Sequence, residues 1–335
     1  MRDGLLAKYG QGSAEFGSYK RPTRVISTGV LALDLALETG GWTLGDLHTI
    51  YGPPDIGKSS SLGLAAICSA QSQGLVAAII AMEPNFSPEW AERNGVDPER
   101  VLILRPSNGE EAFAMLIDVV GSGLVDLVLF DSVGAVIAKS EMEADGKAKQ
   151  GGQSGLITRG VKAVAPLAYK YDCGVIFINQ IRDNMRAQIP GAVDMPGGHA
   201  LKHACITRVR LRPTSNRFTE KRHGDDVIVG REIACIIERN KQGEGTNRKA
   251  LFNYWQADTL DGKHKVGIDT FEDIINTSVT AGVIQRGGAY YTFPPGMNSD
   301  KKMQGFDKVK DYLGKHPEEM FQIRELVLAT IKDES

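Results

Sequence analysis

The chain lacks the features that mark secreted, membrane-spanning or disulfide-stabilised proteins. No apolar run approaches the roughly 20 residues that a membrane-spanning helix needs. The N-terminus, MRDGLLAKYGQGSAEF, has no apolar stretch of a secretory signal. The cysteines are few, far apart and without metal-ligand spacing, which is typical of reduced core residues; they are Cys68, Cys173, Cys205 and Cys235. We therefore expect a cytoplasmic protein with no membrane partner.

The chain also lacks a strong net charge. Its 39 lysines and arginines and its 41 acidic residues leave a formal net charge of −2. Any binding to nucleic acid must therefore come from local basic clusters rather than from attraction to the whole surface. What the chain does have is length. Its 335 residues exceed one ordinary single-core domain and suit a large α/β core with smaller flanking pieces.

Short apolar runs rich in β-branched residues alternate with helical patterns from about residue 25 onward. The apolar runs are residues 47–52, 75–82, 101–106, 125–132 and 173–180. Helical patterns such as 58–73 and 109–122 lie between them. Continuous apolar strands between helices predict an α/β fold with a mostly parallel sheet that is covered on both faces.

The pattern changes twice more along the chain. Residues 206–213 and 226–240 are β-like but more polar, with turn signals between them, and predict antiparallel strands added to the sheet. From about residue 256, two helical stretches surround the short segment GAYYTF. We therefore expect an N-terminal segment over 1–24, a core over 25–255 and a small α+β C-terminal domain over 256–335.

The segment GPPDIGKSS matches the phosphate-binding pattern G-x-x-x-x-G-K-[ST] at Gly52, Gly57, Lys58 and Ser59. We call residues 52–60 the phosphate loop. Its glycines allow backbone N–H groups to close around phosphate oxygens, Lys58 reaches the β- and γ-phosphates, and Ser59 binds Mg²⁺. The apolar strand before it and the helical pattern after it argue against a chance glycine-rich turn.

Two acids lie at the ends of apolar runs. Asp131 closes VDLVLFD, where a carboxylate can bind the water shell of Mg²⁺, although an aspartate at a strand end is also common in a turn or at a helix N-terminus. Glu83 follows IIAM and could orient or deprotonate an attacking water; the alternative is a solvated acid. In a doubly wound sheet, ligands bind at the carboxyl ends of strands, where both acids are expected.

The run FINQIRDN leads from a predicted buried strand into a long basic segment, through residue 203. Arg182 and Arg186 could bind backbone phosphates, and Gly197 and Gly198 allow the chain to approach a phosphate closely. Met185 and Ile189 could wedge between bases. The alternative is that this segment is a mobile surface loop.

A second basic cluster is either a solvated face or a nucleic-acid site; it contains Arg208, Arg210, Arg212, Arg217, Lys221 and Arg222.

These segments together resemble the bacterial RecA recombinase family. The resemblance runs in order through ISTGVLALDLAL, IYGPPDIGKSS, AMEPNFSPEWA, VDLVLFDSVGA, FINQIR and GGHALKHA. It covers about residues 25–255 and extends more loosely into the C-terminal part. An ordered series of this kind is far more specific than a phosphate loop alone.

The resemblance implies a RecA-type P-loop ATPase core that uses ATP and Mg²⁺. It also implies a head-to-tail helical filament on single-stranded DNA, and strand exchange with homologous double-stranded DNA in recombination and repair. A hexameric helicase-like or DNA-loading motor on the same core is the alternative. A small-molecule kinase has no support in the sequence, and the intact Lys58, Ser59, Glu83 and Asp131 argue against a binding protein without ATPase chemistry.

Position by position, the resemblance implies roles in ATP hydrolysis. Lys58 matches the P-loop lysine, while Ser59 and Asp131 match the residues on the Mg²⁺ side. Glu83 matches the catalytic glutamate, and Gln180 matches the glutamine that senses the γ-phosphate. Arg239 and Lys241 match paired lysines that reach the ATP of the neighbouring subunit.

The resemblance also implies contacts with the base of ATP and with DNA. Trp90 replaces an adenine-stacking tyrosine and keeps its flat π-face. The implied ATP-binding residues are Gly52, Pro54, Asp55, Ile56, Gly57, Lys58, Ser59, Ser60, Ser87 and Trp90. The implied DNA-binding residues are Arg159, Arg182, Met185, Arg186, Ile189, Gly197, Gly198 and His199. Because the strand REIACIIE lacks basic residues that the family uses for a second DNA strand, the cluster from Arg208 to Arg222 is expected to substitute for them.

Overall fold

The fold is built on one large mixed sheet with helices on both faces, as the sequence predicts. The computed structural model describes residues 7–8, 23–83, 86–137, 152–183, 193–194, 198–243, 247–297 and 302–333. Within these residues, no helix is long and apolar enough to span a bilayer.

The strands are β1 (Val25–Ile26), β2 (Trp42–Thr43), β3 (Leu47–Gly52), β4 (Ala77–Ala81), β5 (Val101–Leu104), β6 (Leu127–Asp131), β7 (Gly174–Gln180), β8 (Arg182–Asp183), β9 (Val193–Asp194), β10 (Thr207–Arg222), β11 (Asp225–Asn240), β12 (Arg248–Trp255), β13 (Gly267–Ile268), β14 (Gln285–Gly287), β15 (Tyr290–Thr292) and β16 (Met303–Gln304). The helices are α1 (Leu31–Ala36), α2 (Leu64–Ser72), α3 (Pro88–Arg93), α4 (Gly109–Gly121), α5 (Gly152–Tyr171), α6 (Gly198–Ala204), α7 (Thr270–Thr280), α8 (Phe306–Lys315) and α9 (Pro317–Asp333).

The main sheet of the described chain has the strand order β13-β12-β11-β10-β3-β7-β6-β4-β5. All neighbours from β10 to β5 run parallel. The pairs β10–β11, β11–β12 and β12–β13 are antiparallel. The expected mostly parallel sheet with added antiparallel strands is therefore confirmed.

The two faces of the sheet carry separate apolar cores. Alternate residues of the parallel strands point to opposite faces, so that Ile50 packs with α1 and α2 while Leu47 packs with α4 and α5. Phe130 and Phe177 sit in the second core with ring centroids 5.5 Å apart. Because both faces are buried, the strands read as continuous apolar runs rather than as alternating ones.

The hairpin of β10 and β11 is longer than the sequence predicts. Instead of ending at residue 213, β10 continues to Arg222, and only His223 and Gly224 separate it from β11. Pro213 cannot donate a ladder hydrogen bond, and the strand accommodates it at a register shift between Pro213 and Arg217. A proline that signals the end of a strand thus marks a bulge inside one.

The C-terminal helices are joined to α1 by a buried acid. Val30 gives α1 no side-chain cap. The carboxylate of Asp273 in α7 accepts the N–H groups of Leu31 at 2.5 Å and Ala32 at 3.1 Å instead. These are donors at the start of a helix that would otherwise lack a partner. Leu31 also joins the apolar core of α7, α8 and α9, so α1 contributes to both sides of the expected boundary near residue 256.

A second buried acid of α1 faces the same junction. The Asp34 carboxylate accepts hydrogen bonds from the Ser27 hydroxyl at 2.5 Å and from the Thr28 N–H at 2.7 Å. It also forms an ion pair with Arg324 of α9, whose Nη2 lies 3.2 Å from Asp34 Oδ2. Burial raises the pKa of Asp34. Burial raises the pKa of Asp273 to about 7, and the nearby charge of Asp34 adds to this rise.

The junction predicts a specific pH dependence of stability. In the folded protein Asp273 keeps its proton up to a pH of about 7, whereas in the unfolded chain it loses the proton near its ordinary pKa of 3.8. Between these two pH values the unfolded chain releases a proton that the folded protein keeps, so the contribution of Asp273 to the free energy of unfolding falls as pH rises. The free energy of unfolding of the wild type should therefore fall, relative to Asp273→Asn, between about pH 5 and pH 7. Urea titrations measure this difference. Asp311→Asn, at an exposed position of α8, is the control; equal pH slopes for the wild type and Asp273→Asn would contradict the prediction.

Candidate functional site

Several candidate residues meet at one edge of the sheet. The phosphate loop begins at the end of β3, Gln180 ends β7, Asp131 ends β6, and Glu83 lies two residues beyond β4. These four strands are parallel neighbours in the order β3-β7-β6-β4, so their carboxyl ends lie side by side. The structure thus brings together side chains that are far apart in the sequence.

The phosphate loop has the backbone that its glycines permit. Gly57 has φ +84°, and a Cβ added at Gly52 would lie 2.7 Å from the carbonyl oxygen of Leu211 in β10. The chain after Lys58 forms a π-helical turn over Ser59–Gly63 before α2 begins, a local feature that is frequent at functional sites. Helix N-terminal N–H groups and a positive-φ glycine form a concave site for anions.

The side chain of Lys58 lies across this loop and is bound to its first turn. Its Nζ donates to the carbonyl of Pro53 at 2.7 Å, and the residue is only 7% exposed. Burial lowers the pKa of Lys58, and the carboxylates of Asp131, Glu83 and Asp55 oppose this change. A partly buried ammonium group held inside an anion-binding loop is suited to bind phosphate oxygens.

Ser59 and Asp131 form the part of the site that could hold a metal ion. The Ser59 hydroxyl donates to Asp131 Oδ1 at 2.8 Å, and burial raises the pKa of Asp131 to about 6. Among the described residues, no three His, Cys, Asp or Glu side chains cluster as metal ligands. A hydroxyl and one carboxylate nevertheless fit Mg²⁺, because this ion keeps several waters and takes other ligands from substrate phosphates.

Glu83 and Gln180 flank this pair. Glu83 is exposed, and its Oε1 accepts the Ser132 hydroxyl at 3.1 Å. Gln180 is also exposed and lies beside Gly134, which follows β6. Its neighbour Ile181 donates its N–H to the Gly52 carbonyl at 3.2 Å, which ties the end of β7 to the phosphate loop.

Trp90 lies on α3 beside the phosphate loop, and Ser87 directly precedes this helix. The indole Nε1 of Trp90 donates to the Ser60 hydroxyl oxygen at 3.0 Å, and the guanidinium of Arg93 lies 5.3 Å from the ring centroid. Ser87 caps α3 by accepting the Trp90 N–H at 3.1 Å. The expected base-binding residues are therefore adjacent to the expected phosphate-binding residues.

Tyr254 and Asn94 also belong to this region, although the sequence does not predict them there. Tyr254 lies next to the last residue of β12 and packs against Gly57, and its hydroxyl donates to Asn94 Oδ1 at 3.1 Å. Neither residue belongs to a recognisable motif. Their position depends on the strand order, which brings the end of β12 across to α3 and cannot be read from the local pattern of LFNYW.

Arg239 and Lys241 lie at the opposite end of the sheet from the phosphate loop. Because β11 is antiparallel to β10, its last residues are level with the start of β3: Thr207 pairs with Asn240 on one side and with His48 on the other. Arg239 Nη1 donates to the carbonyl of Lys202 in α6 at 2.8 Å, and Lys241 is exposed. Neither residue adjoins the phosphate loop of its own chain.

The expected DNA-binding residues are described only in part. Met185, Arg186, Ile189 and Gly197 lie outside the described residues, and Arg182 and Gly198 are located only as backbone in β8 and α6. Arg159 is exposed on α5. His199 is exposed on α6, with its ring stacked on His203 at 6.0 Å.

The second basic cluster is less uniform than the sequence suggests. All six residues lie on β10, but acids of β11 face several of them: Glu238 lies 3.6 Å from Arg210, Asp226 is opposite Lys221, and Asp225 is opposite Arg222. Arg222 is also bound to Glu220 and to the Asp258 carbonyl. The exposed cations of this cluster are Arg212, Arg217 and Lys221.

Comparison with known proteins assigns this arrangement to a family. Residues 5–252 match the family model described as the RecA N-terminal domain, and residues 272–332 match the one described as the RecA C-terminal domain. The chain belongs to the RecA family. Membership identifies it as a recombinase and as an ATP-hydrolysing enzyme, and the alternative of a helicase-like motor is not favoured.

Proteins named RecA from several bacteria are similar over most of the chain. Those of Bdellovibrio bacteriovorus, Staphylococcus carnosus and Acinetobacter baylyi are each 32% identical to it. The matches cover 93%, 94% and 92% of this chain and 78%, 82% and 85% of those proteins. The crystal structure of the RadB recombinase resembles the RecA fold seen here with a TM-score of 0.52 at 23% identity, covering 69% of this chain and 97% of that one.

Proposed function

We propose that this RecA-family chain is an Mg²⁺-dependent, DNA-stimulated ATPase that assembles head to tail on single-stranded DNA and exchanges strands with homologous double-stranded DNA. The observation that carries the proposal is the separation of the site. Lys58, Ser59, Asp131, Glu83 and Gln180 meet at one end of the sheet, while Arg239 and Lys241 lie at the other. Two copies are needed to bring both groups to one nucleotide.

Within one chain, the phosphate loop would bind the triphosphate and the base would lie against Trp90. Ser59 and Asp131 would hold Mg²⁺, and the ion would supply positive charge to offset that of the phosphates. Lys58 would bind the β- and γ-phosphates, and Gln180 would contact the γ-phosphate. Glu83, which Ser132 orients at 3.1 Å, would accept a proton from the attacking water.

ATP turnover with and without single-stranded DNA tests this function directly. The wild type should hydrolyse ATP faster with DNA. Glu83→Gln keeps the size of the side chain but removes its basic carboxylate, so turnover should fall by about 10²–10⁴ while ATP binding changes little. Glu99→Gln, at an exposed acid after α3, is the matched control. Turnover of Glu83→Gln within a few-fold of the wild type would exclude Glu83 from catalysis, and a wild type without ATPase activity would contradict the function.

Arg239 and Lys241 would complete the site of the next subunit. Cations there would stabilise negative charge on the phosphoryl group being transferred, as an arginine supplied in trans does. Such a contact joins different surfaces of two identical chains, and a repeated heterologous contact extends into a helix when its rotation does not close. ATP would then stabilise the filament because it is bound between subunits.

A mixing experiment tests the shared site. Arg239→Ala and Lys58→Ala should each be nearly inactive alone. Mixed in equal amounts, they should regain activity, because about a quarter of random interfaces combine an intact phosphate loop with an intact Arg239. Lys58→Ala mixed with Glu83→Gln is the control, since both changes damage the same half of the site and should not complement each other. Filaments that form on DNA from the first mixture without ATPase activity would contradict the shared site.

The exposed cations of α5 and β10 would bind DNA at two different places. Arg159→Ala should reduce the slope of log K against log salt for single-stranded DNA by roughly 0.7, the effect of one lost phosphate contact. Arg217→Ala with Lys221→Ala should leave that slope and the DNA-stimulated ATPase unchanged but block strand exchange. Arg222 is left intact because it is bound to Glu220 and Asp258. Full strand exchange by the double variant would identify these cations as a solvated face.

A further inference from the structure

A chain of hydrogen bonds lies beneath the phosphate loop and links three elements of the fold. Trp90 Nε1 donates to the Ser60 hydroxyl oxygen at 3.0 Å. Asn94 Nδ2 donates to the Trp90 carbonyl at 2.8 Å, and the Tyr254 hydroxyl donates to Asn94 Oδ1 at 3.1 Å. The Ser60 hydroxyl also lies near the Tyr254 phenol, whose pKa it acts to lower, so the four residues surround one small region under the loop. We call Ser60, Trp90, Asn94 and Tyr254 the Ser60 ring.

The aromatic ring of Tyr254 supports the glycine that the phosphate loop requires. A Cβ built at Gly57 would lie 3.1 Å from Cε1 and 3.3 Å from Cδ1 of Tyr254. Tyr254 is only 1% exposed. Burial raises the pKa of its phenol to about 12, so the hydroxyl remains a hydrogen-bond donor at neutral pH. The loop therefore lies against a fixed, fully enclosed surface directly before Lys58.

The four members of the Ser60 ring come from three parts of the nucleotide site. Ser60 is the last residue of the phosphate loop, Trp90 and Asn94 belong to α3 and its C-terminus, and Tyr254 belongs to β12. Displacing the phosphate loop would break the bond at Ser60 and the contact at Gly57 together. A network that holds a loop in its binding conformation lowers the conformational entropy lost when the ligand binds.

We infer that Tyr254 is a positioning residue for nucleotide binding, which holds the phosphate loop through Gly57 and the Ser60 ring. This inference rests on the proposed role of residues 52–60 in binding ATP. Tyr254 does not touch the reacting atoms. Its effect should therefore appear in the affinity for the triphosphate and in the KM for ATP, with kcat little changed.

The test compares two ligands and two tyrosines. Tyr254→Phe keeps the aromatic ring but removes the hydroxyl. It should raise the Kd for Mg²⁺-ATP and for Mg²⁺-tripolyphosphate by the same factor of roughly two to ten, the range for one neutral hydrogen bond. Tyr312→Phe is the matched control, because it removes a tyrosine hydroxyl that donates to Glu319 at 3.0 Å in the C-terminal helices. It should leave both Kd values unchanged.

The two ligands separate the possible results. Unchanged Kd values in Tyr254→Phe would overturn the inference, whatever happens to its thermal stability. A rise for ATP without a rise for tripolyphosphate would also overturn it, because the Ser60 ring would then act on the base through Trp90 rather than on the phosphate loop. A wild type that binds neither ligand would overturn the proposed function itself, and the inference with it.

A double-mutant cycle tests the path through Asn94. If Tyr254 acts through this residue, then Asn94→Ala and Tyr254→Phe remove the same link. The double variant should then raise the Kd for tripolyphosphate by clearly less than the product of the two single effects. A rise equal to that product would overturn the ring as a single unit.

Discussion

The parallel alignment of β3, β7, β6 and β4 is the constraint on which the candidate site depends. Each strand ends in a polar residue or leads into one, and none of these residues could act on a phosphate alone. Parallel neighbours end at the same edge, so the alignment brings Lys58, Ser59, Asp131, Glu83 and Gln180 together. The register is in turn fixed by two apolar cores, because a slip of one residue would exchange the side chains that face them.

Strand direction has the opposite effect on the other half of the sheet. The hairpin of β10 and β11 begins beside β3, passes the phosphate loop and returns, so that Arg239 lies level with Thr49 and Asn240 with His48, in the first half of β3. A chain with this topology cannot bring Arg239 to its own phosphate loop without breaking the ladder. The need for a second copy, on which the proposed shared site depends, is thus a consequence of one antiparallel turn.

The features that the sequence predicted well depend on local patterns. The apolar run 125–132 contains the strand Leu127–Asp131, and the run 173–180 contains Gly174–Gln180, because buried parallel strands between helices have a clear sequence pattern.

The extension of β10 was not predicted, because a proline such as Pro213 normally ends a strand, whereas a bulge accommodates it here. Asp273, Asn94 and Tyr254 were missed for another reason. Asp273 binds the N–H of Leu31, and Tyr254 in β12 binds Asn94 at the end of α3. The partners in each pair are more than 150 positions apart, and no local sequence pattern indicates such a contact.

The same reasoning extends to the contact between Arg239 and α6. Its guanidinium donates to the Lys202 carbonyl in the last turn of α6, the helix at the end of the basic segment that follows β7 and is expected to bind DNA. A guanidinium has five N–H donors arranged as a fork, so one edge can bind this carbonyl while another remains available. Under the proposed shared site, one residue would therefore contact both the ATP of a neighbouring subunit and the helix next to its own DNA segment. A lysine has no such fork and could not hold both partners in one fixed plane. Under the proposed shared site, Arg239 would thus connect the ATP of a neighbouring subunit directly to α6, the helix beside the segment that is expected to bind DNA.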